Sequence, residues 1–285
     1  MTAPSITYGH GLLEDSWATL DDYTLTAGGS SGSYGITTGY DLYIAITSFV
    51  GDSYVKNDTN FALSTTLYPY IMFRYYTTGS AKAKIVAEFS DASTQTVLSE
   101  TASTGKWTVA TVALTAAKTL DHLSFNCCDA TGIAYYDFFL VFKGTFTFPQ
   151  YTTVTYNMQN RYSNTEVPSR LGRRKAWMGA NETIVTIEGD VDSQRDGWKR
   201  PVGTSSKTDK IAAEVLNEIH HKASSEAWQW IKTDRGQFKA VLEDLVINES
   251  DNQNFLFAYQ AVFGEFRLSN ASNESLTDRL GLETL

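Results

Sequence analysis

Thr183-Ile-Val-Thr-Ile-Glu-Gly189 alternates as a β-strand does, and it opens the stretch on which the fold of the C-terminal half depends. Thr208–Lys222 follows with apolar residues every fourth position, the spacing of an amphipathic helix. Gln237–Ile247 and Phe255–Arg267 each have the composition of a long strand. The order predicted from these segments is strand, helix, strand, strand, and no catalytic motif accompanies it.

The bulk composition favours two domains of ordinary size in a chain of 285 residues. With 42% hydrophobic and 13% aromatic residues, the chain can bury sizeable cores and is not predicted to be disordered. A net charge of −9 argues against unselective nucleic-acid binding. No apolar stretch approaches the roughly 20 residues that span a bilayer, and the first residues lack the pattern of a secretory signal. Neither a membrane nor a nucleic acid is therefore expected as a main partner.

The two cysteines, Cys127 and Cys128, are neighbours in sequence. A disulfide between adjacent residues is strained and closes no loop, so no disulfide framework is expected. We interpret them as strand residues on opposite faces. The four scattered histidines do not form a local zinc motif either.

Residues 1–145 have a composition typical of an all-β domain, in which Gly, Ser and Thr separate short runs rich in Tyr, Phe, Val and Ile. Seven or eight antiparallel strands in about 140 residues predict a two-sheet sandwich. The predicted strands are Asp41–Phe49, Tyr68–Thr77, Ala83–Phe89, Gln95–Glu100, Trp107–Leu114, Leu120–Cys127 and Ala134–Lys143.

Three short motifs give this region a resemblance to a known family. They are Gly11–Asp15 near the start, Gly105–Leu114 in the middle and Ala134–Phe142 at the end. In this order they resemble a jelly-roll carbohydrate-binding module, also called a galactose-binding-like domain, over residues 10–144. The resemblance implies a jelly-roll β-sandwich.

The resemblance also implies a structural calcium ion. In such modules an early acidic residue and an Asp of the last strand often hold the ion, which would be Glu14 or Asp15 together with Asp137 in this chain. Hard carboxylate oxygens suit Ca²⁺, which would join the first strand to the last. The alternative is that Asp137 is an edge or turn carboxylate bonded to the backbone.

A sugar site would require exposed aromatic rings beside polar groups. Most of the tyrosines are expected in the core or on sheet faces, because Tyr favours strands. Trp107 begins an apolar run and is expected in the core rather than in a binding surface. A sugar site is therefore plausible, but no position for it is predicted. The candidate rings are Tyr34, Tyr40, Tyr43, Tyr54, Tyr68, Tyr70, Tyr75 and Tyr76.

The C-terminal domain is predicted to begin after a boundary near Gly144, with Thr152–Met158 as its first strand. Val167–Gly179 has no clean periodicity and is rich in Arg. One interpretation is a basic patch for nucleic acid. The other, which we favour because the chain is acidic overall, is a loop or hairpin that pairs with acidic neighbours in an oligomer.

Ala227–Lys232, a Gly-containing turn and the strand from Gln237 predict a hairpin. Together with Glu182–Gly189, the helix and the final strand, this order is similar to the tail-tube fold of tube, tail-completion and distal tail proteins of tailed viruses. The resemblance covers about residues 150–268. It implies that copies join edge strands into a closed ring of three or six subunits, with the helix outside.

The fold class expected is therefore mainly β with one helix: an N-terminal jelly-roll sandwich (1–145), a tail-tube-like barrel or sandwich flanked by a helix (146–268) and a C-terminal extension (269–285). The resemblance implies a structural virion protein of a viral tail, a distal tail or baseplate ring whose partners are tube, hub and fibre proteins. The outward sandwich would contact host glycans.

The alternative is a non-catalytic carbohydrate-binding protein. An enzyme is not expected, because the sequence has no Gly-x-Ser-x-Gly elbow and no zincin motif.

Overall fold

The structure is a computed structural model. It describes residues 4–14, 17, 19–37, 41–148, 152–166, 173–192, 229–234, 236–249 and 256–265. Every regular element within these ranges is a β-strand. The strands are β1 Ser5–Glu14, β2 Tyr23–Thr26, β3 Ser31–Ile36, β4 Leu42–Ser48, β5 Ser53–Asn57, β6 Leu63–Ser64, β7 Tyr70–Gly79, β8 Lys82–Phe89, β9 Thr94–Thr101, β10 Thr108–Ala113, β11 Thr119–Cys128, β12 Gly132–Thr147, β13 Thr153–Glu166, β14 Arg173–Asp192, β15 Gln229–Thr233, β16 Gly236–Glu249 and β17 Leu256–Glu265.

The chain divides into two compact units, which are described separately. The first, here the sandwich unit, contains Gly9–Gly144, and the second, here the C-terminal unit, contains Met1–Tyr8 and most of the chain from Thr145 onwards. Among the described residues, no helix is long and apolar enough to cross a bilayer.

The sandwich unit consists of two antiparallel sheets. The front sheet has the order β10-β7-β12-β4-β3. The back sheet has the order β2-β5-β11-β8-β9, with the short β6 also paired to β11. All the pairings of the front sheet are antiparallel, and those of β10 with β7, β7 with β12 and β12 with β4 join strands that are distant in sequence.

The core of this unit lies between the two sheets, and β8 supplies it in strict alternation. In β8 the inward residues are Ala83, Ile85, Ala87 and Phe89, each at most 3% exposed. Trp17 is fully buried and meets Phe125 of the back sheet edge to face, with ring centroids 5.3 Å apart. Because side chains in a strand alternate between faces, the remaining residues of each strand form the two outer faces of the sandwich.

The C-terminal unit has a sheet of the order β15-β16-β17-β14-β13, and the start of β1 pairs with β15 through Ile6 and Ile231. Val185 and Ile187, from the Thr183–Gly189 segment of β14, are fully buried in the core of this unit. They pack with apolar residues of the neighbouring strands, among them Ala261 and Phe263.

The predicted strands of the sandwich unit and the predicted C-terminal hairpin are confirmed, since each overlaps an observed strand. The segment from Arg173 onward, which had no clear period, belongs to the 20-residue strand β14. The predicted helix at Thr208–Lys222 and the extension at 269–285 lie outside the described residues. The closed barrel stays a prediction.

Candidate functional site

Four aromatic side chains form a row across the outer face of the front sheet. Tyr43 of β4 is in register with Tyr135 of β12, and Tyr135 is in register with Tyr76 of β7. Trp107 directly precedes β10, whose first residue pairs with the neighbour of Tyr76. We call Tyr43, Tyr135, Tyr76 and Trp107 the aromatic row.

The central rings of the row lie close to one another. The ring centroid of Tyr76 is 5.7 Å from that of Tyr135 and 5.7 Å from that of Trp107, with tilts of 35° and 41°. All four side chains are half-buried, so each ring keeps part of its surface exposed to solvent. Adjacent strands are about 4.8 Å apart, so a row that crosses three inter-strand gaps is roughly 14 Å long.

The electrostatic environment also places these residues together. Burial raises the pKa of the Tyr135 phenol, and the nearby Tyr76, Asp41 and Tyr43 raise the pKa further. A raised phenol pKa keeps Tyr135 neutral at ordinary pH. The hydroxyl is then available both as a donor and as an acceptor.

The Tyr43 end of the row lies over a glycine. Gly35 of β3 is in register with Tyr43, and a Cβ built on Gly35 would lie 2.9 Å from the Tyr43 hydroxyl oxygen and the nearest ring carbon. A side chain on residue 35 would therefore displace the Tyr43 ring. The absence of a side chain there allows the ring to lie close to the sheet.

The Trp107 end lies over a charged group. The guanidinium carbon of Arg74 is 4.9 Å from the centroid of the Trp107 ring, a cation–π contact. Arg74 Nη1 also donates to Asp137 Oδ2 at 2.9 Å. The expectation that Trp107 belongs to the core is wrong, because its ring is half-buried and rests on outward residues.

The outer face of the back sheet has a different chemistry. Its outward residues form ion pairs, including Lys56 with Glu88 and Lys84 with Glu100. Charged groups of this kind bind water strongly. Among the described residues, the row of four neighbouring aromatic side chains therefore distinguishes the front sheet.

The predicted calcium ligands are only partly described. Glu14 Oε1 accepts the backbone N–H of Trp17 at 3.0 Å. Asp137 is 5% exposed and binds Arg74, whereas Asp15 lies outside the described residues. The calcium site stays a prediction.

One group of three side chains in the described part of the chain has the spacing of metal ligands: Asp52, Glu100 and Cys128. Lys84 Nζ lies 3.2 Å from Glu100 Oε1 and 3.7 Å from Asp52 Oδ2, so this group forms an ion-pair network with a cation already present. Burial and the neighbouring Asp52 raise the pKa of the Cys128 thiol, which keeps it protonated.

The adjacent cysteines are both buried and both free thiols. Cys127 belongs to the core between the sheets, where burial raises its pKa to about 11. Neither is a reactive thiolate at neutral pH.

The aromatic row was not predicted from the sequence. Its members are distant in sequence, and they become neighbours only through the pairing of β4, β12, β7 and β10. The available signal was alternation: Tyr43 and Tyr76 each occupy the position opposite to the core in a predicted strand. Alternation alone does not give the register between strands.

No family model and no curated protein matches the chain. Among solved structures, the family 11 carbohydrate-binding module of the cellulosomal cellulase Lic26A-Cel5E of Clostridium thermocellum is similar, with 10% identity and a TM-score of 0.36 over 47% of this chain and 95% of that chain. A mutant family 29 module in complex with cellulohexaose has 15% identity and a TM-score of 0.35 over 50% of this chain and 93% of that chain. At these identities and TM-scores, neither a family nor a ligand is transferred to this chain.

Proposed function

We propose that the sandwich unit is a non-catalytic carbohydrate-binding module and that the aromatic row is its binding surface. The observation that carries the proposal is the row itself: four half-buried aromatic residues in one line across the front sheet. Large flat apolar surfaces with polar tips are uncommon on the outer face of a sheet unless they contact a ligand or a partner.

Stacking is the physical basis of the interaction. A pyranose ring presents a face of C–H groups, which carry partial positive charge and pack against the negative face of an aromatic ring. The spacing of 5.7 Å between the Tyr76 ring and each neighbouring ring is comparable to the separation of successive sugar units in an extended glycan. The row therefore suits a linear glycan of about three or four units that lies across the strands.

The polar groups of the row add direction to this contact. The hydroxyls of Tyr43, Tyr76 and Tyr135 and the indole N–H of Trp107 can bond to sugar hydroxyls without introducing charge. Arg74, the cation in contact with the Trp107 ring, is paired with Asp137. An uncharged glycan is therefore the preferred ligand, and its affinity should change little with salt concentration.

Nothing in the row resembles catalytic machinery. Two carboxylates lie near the row: Asp137 is 5% exposed and paired with Arg74, and Asp41 lies close enough to Tyr135 to raise the pKa of its phenol. We therefore propose that the sandwich unit binds a glycan and does not cleave it.

The viral-tail hypothesis stays a prediction. If the C-terminal unit forms a ring, the same row would be repeated around it, and a weak site would gain avidity without any new contact. Host glycans would then be the ligands.

A glycan array with the full chain, followed by calorimetric titration of the saccharides that it retains, tests the proposal. In a series of saccharides of increasing length, affinity should rise up to about three or four sugar units and then become constant. An array that retains no saccharide would refute the proposal. If the monosaccharide and the longest saccharide bind with equal affinity, the claim that one glycan contacts the whole row is refuted.

A further inference from the structure

We infer that Arg74, held by Asp137, is a positioning residue that fixes the Trp107 ring at one end of the aromatic row before any ligand arrives. The inference rests on the proposed function, because it assigns a role within the same site. Arg74 does not stack on the glycan in this account. It acts through the ring above it.

The backbone sets up this arrangement through a β-bulge. The register between β12 and β7 shifts between Tyr136 and Phe138, so Asp137 is an extra residue without a partner position on β7. A bulge redirects the side chain at the irregularity. The carboxylate of Asp137 consequently meets Arg74, which is in register with Phe138.

The position of Asp137 is fixed from the core side as well. The indole N–H of the buried Trp17 donates to the backbone oxygen of Asp137 at 2.8 Å. Trp17 itself is fully buried and packs against Phe125 and Phe139. The bulge is thus hydrogen-bonded to a residue of the core between the two sheets.

The ion pair is largely removed from water, since the Arg74 and Asp137 side chains are 12% and 7% exposed. A charge pair at this burial is screened little by salt, and a guanidinium held by a carboxylate loses little additional freedom when a ring packs on it. The planar guanidinium can then support the Trp107 indole from below. An indole fixed in this way loses less conformational entropy when a sugar stacks on it, which increases affinity.

The Trp107 ring needs such support because of its location. It lies just before β10, a strand that occupies the edge of the front sheet. On one side Trp107 contacts the Tyr76 ring. On the other side, none of the described strands pairs with β10. Without Arg74 beneath it, the indole would be held by a single aromatic contact among those described.

A double-mutant cycle tests the inference. The variant Arg74→Met with Asp137→Asn removes both charges together, so neither is left buried alone. Its affinity for the longest saccharide retained by the array should fall roughly threefold to tenfold. In a Trp107→Ala background the same pair of changes should cause no further loss, because the ring that Arg74 supports is gone. A loss of equal size in both backgrounds, or no loss in the first, would overturn the inference.

A second variant covers the possibility that the double change prevents folding. Arg74→Lys keeps the charge but lacks the planar fork, so it should bind more weakly than the wild type and more strongly than Trp107→Ala. Wild-type affinity for Arg74→Lys would contradict the role of the guanidinium plane. Lys56→Met with Glu88→Gln, which removes an ion pair from the back sheet, is the matched control and should bind as the wild type does.

A measurement on the free protein separates failure of this inference from failure of the proposed function. The fluorescence of Trp107, isolated by subtraction of a Trp107→Phe variant, should be quenched more strongly by acrylamide when Arg74 and Asp137 are replaced. If the array retains nothing but this quenching still increases, only the proposed function fails. If glycans bind through the row and the quenching is unchanged, only the positioning role fails.

Discussion

The most informative single substitution is Tyr76→Ala, because Tyr76 contacts an aromatic ring of the row on each side. Its centroid lies 5.7 Å from those of Tyr135 and Trp107. Alanine at this position removes the central stacking surface and leaves a gap between the two halves of the row. We therefore expect glycan affinity to fall more than it would for loss of an end ring.

The magnitude follows from the area that a sugar unit covers. Contact with roughly 60 Å² of the Tyr76 ring, less than half of the surface of a buried aromatic side chain, contributes about 1.5 kcal/mol at about 25 cal/mol per Å². Each 1.4 kcal/mol corresponds to about a tenfold change in Kd, so Tyr76→Ala should weaken binding by about tenfold. Tyr76→Ala also removes the ring contacts within the protein, and this loss should lower the free energy of unfolding by about 1 kcal/mol.

Isothermal titration of the full chain with the best saccharide from the array provides the assay, and thermal unfolding shows that the variant is folded. Tyr70→Ala is the matched control. Tyr70 lies on the same face of β7, six residues from Tyr76, is 39% exposed and contacts Phe142. At about 3.3 Å per residue it is roughly 20 Å from the row. If Tyr70→Ala weakens binding as much as Tyr76→Ala does, or if neither changes it, the reasoning is refuted.

Three further substitutions or treatments have defined outcomes. Gly35→Ala should weaken glycan binding several-fold, because the added methyl group would displace the Tyr43 ring 2.9 Å away, whereas Ser33→Ala on the same strand should bind normally in the same titration. The Cys127 thiol, whose pKa burial raises to about 11, should not react with a disulfide reagent at pH 8 until the protein is unfolded, and fast reaction of the native protein would contradict its placement in the core. Burial also raises the pKa of Tyr136 well above its ordinary value, so the unfolded chain loses its proton first and the free energy of unfolding should fall as pH rises above about 10. Tyr136→Phe should reduce that alkaline loss in denaturant titrations, and an unchanged pH dependence would show that Tyr136 does not cause it.

Seven strands of the sandwich unit, β4 and β7 to β12, could be predicted because alternation and strand composition are local properties. In Lys82–Phe89 every second residue is apolar, and these are the residues that the structure buries. Thr183–Gly189, which was predicted to be a strand from its alternation, lies in β14, where Val185 and Ile187 are fully buried. Period and face are therefore readable from a single segment.

The candidate site could not be predicted because it depends on long-range register. Tyr43, Tyr76, Trp107 and Tyr135 become neighbours through pairings between strands that are far apart in sequence. A shift of one residue in any of these pairings would move a ring to the opposite face. The apolar run after Trp107 suggested a core residue, but strand β10 begins only at Thr108, and the indole lies on the outer face.

Asp137 shows a second limit of position-based inference. The resemblance to carbohydrate-binding modules implied a calcium ligand at Asp137, a role that stays a prediction, and the structure places its carboxylate against Arg74. A carboxylate that is 5% exposed is stabilised by a nearby cation or by hydrogen bonds, and sequence position does not identify which groups supply them.

The most direct test of the central claim is to map where a glycan binds by amide chemical-shift perturbation in the full chain. A saturating saccharide from the array should shift the amides around Tyr43, Tyr135, Tyr76 and Trp107, in a band that crosses the front sheet. Perturbations concentrated instead on β8, β9 and β11 of the back sheet, or on the C-terminal unit, would contradict the account.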